Sequence, residues 1–159
     1  PLSAVLGAFI HFVLAFALLL VGMVAFGVDF TPTILFVPVI MLLQLVLVTG
    51  LAMILAAANV LARDLEQLVD VGLLAWFFLT PIFYALAIVP NDQFLGLDVH
   101  RWVFALNPMA TLVTDFRYVA LEGLLPIRHT AVTMVTAIGA LALGWWLMRR
   151  FSRRFAEIV

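Results

Sequence analysis

The fold class this sequence predicts is an all-α, polytopic membrane helix bundle, and three observations predict it. Hydrophobic residues make up 67% of the chain and charged residues 11%, against roughly half and a quarter in a soluble domain. The charges are clustered, so that 2–28 and 31–62 carry no Asp, Glu, Lys or Arg; each run exceeds the about 20 residues that cross a bilayer. A chain of 159 residues with so few polar groups cannot cover its apolar side chains by folding on itself, so lipid covers the remainder.

The elements follow in order within a single transmembrane domain, 1–159. The first span is expected at about 2–28. Gly27, Asp29 and Pro32 then break it, and a second span follows at about 38–62, with Pro38 in the first turn where a missing N–H is harmless. The turn 59–70 packs Arg63, Asp64, Glu66 and Asp70 into eight positions. Asp64 and Gln67 form the spacing of a capping box, so a new helix is predicted to begin there. Its apolar continuation, about 71–89, is the third span, with Pro81 inside it as a packing kink. The fourth span is expected at about 131–148, where Trp145 and Trp146 form an aromatic belt before Arg149, Arg150, Arg153 and Arg154.

Between the third and fourth spans, 90–128 is polar but not a plain loop. Asn107 as N-cap, Pro108 at the first helical position and Gly123 beyond the end delimit a helix of about four turns. Leu112, Val113, Phe116, Val119 and Ala120 share one face, while Thr111, Asp115, Tyr118 and Glu122 share the other. The helix is too short and too charged to cross, so a re-entrant or interfacial position on the outer side is predicted. With four spans, Arg63 and the tail 149–159 lie in the cytoplasm with five arginines, against Arg101, Arg117 and Arg128 outside, which agrees with the positive-inside rule. The start at Pro1, without an initiator Met or a basic segment ahead of the first apolar run, is the beginning expected of a fragment rather than of a secretory signal.

Composition also restricts the chemistry. All eight basic residues are Arg, so neither a phosphate-binding P-loop nor a Schiff-base enzyme can be built from this chain. Cysteine is absent, and His11, His100 and His129 stand at no metal-ligand spacing, so no metal site is expected. His11 is the single ionisable side chain inside the predicted spans and reads as a neutral histidine satisfied by a carbonyl or a neighbouring helix. Intramembrane carboxylates that would couple transport to an ion are lacking, and nothing suggests nucleic acid as a partner. No catalytic residues are assigned.

The third span carries Trp76, Phe77, Phe78, Phe83 and Tyr84, rings that stack on sugars as readily as they fill lipid-facing or core positions. Trp76 with Phe83 and Phe77 with Tyr84 form two faces by heptad spacing. At most one of these faces is expected to line a substrate path, and Phe77 with Tyr84 is preferred. Glu66 with Asp64 or Asp70 is the one local carboxylate pair that hydrolysis or prenyl transfer could use, and it reads first as a solvated helix end. The arginine tail reads first as a topology signal in contact with anionic lipid.

Five segments then form an order with a known counterpart: Ala-Asn-Val-Leu-Ala-Arg-Asp-Leu-Glu-Gln-Leu-Val at 58–69, Phe-Leu-Thr-Pro-Ile-Phe-Tyr at 78–84, Ala-Leu-Asn-Pro-Met at 105–109, Asp-Phe-Arg-Tyr at 115–118 and Arg-Arg-Phe-Ala-Glu-Ile-Val at 153–159. Together they resemble the permease subunits of type-2 ABC exporters, nearest to the O-antigen, capsule and teichoic-acid polysaccharide export group. The long, acid-containing stretch 91–101 departs from that pattern. The resemblance implies a six-span permease of which this chain matches spans three to six, its amino-terminal part missing. It implies a homodimer in the cytoplasmic (inner) membrane that exports a lipid-linked glycan, with ATP and Mg hydrolysed on a separate ABC ATPase subunit and no cofactor or enzyme activity in this chain. Arg63, Asp64 and Glu66 become the ATPase-coupling turn, Asn107 and Pro108 the cap of an outer gate helix, and Trp76, Phe77, Tyr84 and Tyr118 the substrate path. The rival readings are a membrane enzyme of lipid or glycan metabolism using Asp64, Glu66 and Asp70, and an ABC permease for a drug or small lipid.

Overall fold

The computed structural model describes residues 2–61, 65–82, 93–94, 97–98 and 107–155, and the side chains of 2–59, 67–82 and 107–151. It is an all-α membrane helix bundle. Among the described residues, three helical stretches are long and apolar enough to cross a bilayer: α1 (Leu2–Ala25), α2 (Val37–Leu61) with the turn leading into it from Pro32, and α5 (Ile127–Phe155). α3 (Leu65–Leu79) is shorter, and α4 (Pro108–Arg117) runs into a π-helical turn, Tyr118–Glu122. Residues 93–94 and 97–98 pair as a minimal antiparallel ladder.

Local signals set most of the ends. α1 stops because Gly27 takes a left-handed φ of +72°, which lets the Val28 N–H reach back to the Met23 carbonyl at 3.0 Å. Pro32 opens a 3-10 turn, Pro32–Phe36, that leads directly into α2, with Pro38 in the first turn of that helix. The capping role expected for Asp64 lies outside the described residues. At the outer helix, Asn107 accepts from the Met109 and Ala110 amides and Gly123 closes the end at φ +66°.

α3 departs from the expected third span. Instead of running through Pro81 with a kink, it ends at Leu79, because the residue before a proline is pushed out of the helical region. The Thr80 amide is shared between the carbonyls of Trp76 and Phe77 at 3.0 and 3.2 Å, so the Phe77 acceptor that a residue-81 N–H would have used is satisfied from Thr80. Residues 83–89 of that span lie outside the described part.

The core lies where α2, α4 and α5 meet, around Ile40, Leu47, Leu112, Val119 and Ala137. α2 and α5 form the principal pair and approach at two glycines. A Cβ on Gly50 would stand 2.5 Å from the Leu141 nitrogen, and one on Gly144 would stand 2.6 Å from the Gly50 carbonyl oxygen. Small residues at such a crossing let backbones touch where lipid offers no hydrophobic gain, as membrane helix pairs require. Positions 50 and 53 meet 140–141 and 144 in ascending order, so the two helices run parallel and both begin at the same end of the bundle. At that end Thr33 donates to the Val119 carbonyl at 2.9 Å, joining the turn before α2 to the π turn before α5.

Candidate functional site

The site is the junction between the end of α3 and the start of α4. Asn107 is buried there and uses its amide in both directions. Its Oδ1 accepts from the Trp76 indole N–H at 2.7 Å and from the Met109 and Ala110 amides at 3.1 and 3.2 Å, while Nδ2 donates to Thr80 Oγ1 at 2.9 Å. Thr80 in turn donates to the Trp76 carbonyl at 2.8 Å. The cap of α4 is thereby also the fastening of α3, which local sequence patterns do not reveal because the partners are 27 and 31 residues apart. A second tie joins the Arg117 guanidinium to the Ile82 carbonyl.

Beside this junction α3 leans away from α2 and leaves an apolar groove of about 720 Å³, bordered by Leu51, Leu55, Trp76, Phe77 and Met109 among others. Trp76 and Phe77, one from each of the two aromatic faces, both border the groove, since neighbouring positions about 100° apart can both reach it. Phe77 is 42% exposed and stacks edge-on with Phe78 at 5.6 Å. Tyr84 lies outside the described residues. Tyr118 does not join the groove; its ring stands 6.2 Å from that of His129, between the π turn and α5.

Both predicted faces of the outer helix are partly covered: Thr111 and Asp115 of the polar face are buried, with Asp115 fully inaccessible, as are Leu112 and Val119 of the apolar face, while Glu122 is exposed. One Asp115 oxygen accepts from the Thr130 hydroxyl of α5 at 3.2 Å, and its other oxygen and the Thr111 hydroxyl have no hydrogen-bond partner among the described residues. Burial pushes the Asp115 carboxyl up to about 7, and the Thr130 hydrogen bond pulls the other way. The signal that could have found this contact is Thr111 and Asp115 one turn apart, opposite Thr130 and Thr133 on the next helix.

Among the described residues, the other expected ones stay apart from the junction. Arg63 and Asp64 lie outside the described residues, as does the side chain of Glu66, while Asp70 is exposed on α3. His11 donates through Nδ1 to the Gly7 carbonyl of its own helix at 2.8 Å. At the far end of α5, Arg149 and Arg150 stack over Trp145 and Trp146 at 4.9 and 5.2 Å. No group of three or more metal-ligating side chains occurs among the described residues.

No protein-family model and no solved structure matches the chain. Among curated proteins, an O-antigen export system permease protein RfbA of Myxococcus xanthus is 35% identical over 162 aligned residues, covering all of this chain and 60% of the relative. Two proteins of the same name from Klebsiella pneumoniae are 28% and 29% identical over 97 residues, 61% of this chain and 35% of each relative. The chain thus spans less than two thirds of the length of the relatives it matches. Along the whole of its length the chain is thus similar to O-antigen export system permeases, and its apolar helices agree with a membrane protein.

Proposed function

We propose that this chain supplies part of the membrane pathway through which an ATP-driven exporter moves a lipid-linked polysaccharide across the cytoplasmic membrane. It acts as one half of a permease homodimer, and a separate ABC ATPase hydrolyses ATP with Mg. The observation that carries this reading is the 35% identity to an O-antigen export permease along the whole of the chain. The absence of Lys, and with it of any P-loop, supports an energy source on a partner subunit. Arg63, Asp64 and Glu66 in the cytoplasmic turn take the push of that ATPase, and the helix capped by Asn107 and Pro108 gates the outer side. Phe77, Trp76 and Tyr84 offer ring faces to passing sugars, Tyr118 stands near the outer exit, and the apolar groove suits the lipid end of the substrate.

The test uses the full-length permease with its ATPase in proteoliposomes. Lipid-linked glycan is expected to cross only with ATP, and Phe77→Ala with Tyr84→Ala is expected to slow it at unchanged protein abundance. Transport of a drug or small lipid with none of glycan would instead favour the rival exporter. Glycan or lipid chemistry lost on Asp64→Asn or Glu66→Gln without ATPase would favour the enzyme reading.

A further inference from the structure

We infer that Trp76, Thr80 and Asn107 form a latch through which α3 drags the outer helix α4 when its cytoplasmic end is displaced. The inference rests on the permease reading and names the joint between its coupling turn and its gate.

The argument starts from how α3 is held. Its described side chains before Thr80 are all exposed or half-buried, and it touches α2 only sparsely, with the groove lying between them. Among the described residues of this chain, packing along its length therefore does little to fix it. Its far end is different: Thr80 and Pro81 are buried, and Asn107 fastens both Trp76 and Thr80. A helix of 15 residues, rigid over about 22 Å, that touches α2 sparsely and is fastened to α4 at one end acts on α4 as a lever.

The fastening is directional. Asn107 Oδ1 holds the indole and the first amides of α4 at one atom, so the Trp76 N–H cannot turn away without either breaking its bond or moving the start of α4. Because the surroundings are apolar, the indole N–H, the amide and the hydroxyl have few alternatives to one another, and leaving one unpaired is unfavourable. The Arg117 contact to the Ile82 carbonyl holds α4 to the same break at a second point. α4 is seated on the other side by Leu112 and Val119 in the α2–α5 core and by Asp115 on Thr130. A displaced α3 thus acts on a helix with two seats, one on the lever and one on the fixed pair.

The experiment reads each helix separately in the reconstituted full-length complex. This chain contributes no cysteine; with any cysteines elsewhere in the complex replaced by serine, Asp70→Cys with Val135→Cys reports α3 and Glu122→Cys with Val135→Cys reports the end of the outer helix, both by spin-label distances. In the otherwise native protein both distances are expected to change on adding ATP. With Thr80→Val, the α3 distance still changes, the outer-helix distance does not, and glycan exported per ATP falls about fivefold, as loss of one buried hydrogen bond implies. Thr80→Ser, which keeps the hydroxyl, restores both. If Thr80→Val lowers abundance, Trp76→Phe keeps an aromatic ring at the position while removing the indole donor with its five-membered ring, and is read by the same outer-helix distance. Movement of the outer helix preserved in an assembled Thr80→Val or Trp76→Phe complex overturns the latch. A native complex that exports nothing with ATP overturns the permease reading itself.

Discussion

Replacing Gly144 by alanine tests whether the α2–α5 crossing is the packing element on which the bundle is mounted. The new Cβ would lie 2.6 Å from the Gly50 carbonyl oxygen and 2.8 Å from Met53 Cβ, whereas ordinary contact begins at 3.4 Å. Both neighbours belong to, or sit directly on, the α2 backbone, so neither can swing aside. The helices must separate by about 0.8 Å, a gap that forfeits a quarter to a half of the dispersion attraction between facing atoms. Overpacking of this kind costs about 1–3 kcal/mol, and alanine's better helix propensity offsets about 1 kcal/mol of it. A net loss of about 0–2 kcal/mol is expected from these two effects, so that Gly144→Ala falls about 1–3 kcal/mol below a variant that gains the propensity without the clash. Gly139 provides the control: it stands on the same helix with nothing within 4 Å of the place an added methyl would take, so Gly139→Ala should be neutral or slightly stabilising. The assay is reversible unfolding in mixed micelles of increasing denaturing detergent, followed by the fluorescence of the four tryptophans. Equal stability of the two variants would refute the reasoning, because it would mean that the glycines mark no close approach.

Three further outcomes are expected. Asp115 has a folded-state pKa of about 7 against an ordinary 3.8, so the protonated form favours the folded protein and its contribution is lost as pH rises from about 4 through 7; Asp115→Asn should flatten that slope and be the more stable form at pH 8, measured in the same unfolding assay. Gly123→Ala should cost about 1–2 kcal/mol, because position 123 has φ +66° and its Cβ would stand 2.8 Å from Thr31 Cγ2, and the loss should appear as a lower unfolding midpoint. For the proposed topology, Ser152→Cys should resist an impermeant thiol reagent applied to intact cells and Asn91→Cys should react; the reverse pattern would invert the orientation.

The sequence by itself determined the class of fold, the three long apolar helices and many of their ends. Hydrophobic runs record the solvent, while Gly27, Pro38, Asn107 and Gly123 act on the backbone within a few residues of themselves, so their effects can be read without knowing what packs nearby. The resemblance to polysaccharide export permeases was likewise legible, carried by motifs at such ends. Only the tertiary structure decided which way α4 turns. Periodicity separates its apolar and polar faces but does not say what stands opposite, and α5 presents Thr130 to Asp115, so Thr111 and Asp115 are buried along with Leu112 and Val119. The same reason hid the second role of Asn107. Capping is local and visible in a short string of residues, whereas the bonds to Trp76 and Thr80 exist only because the end of α3 and the start of α4 are brought together in space.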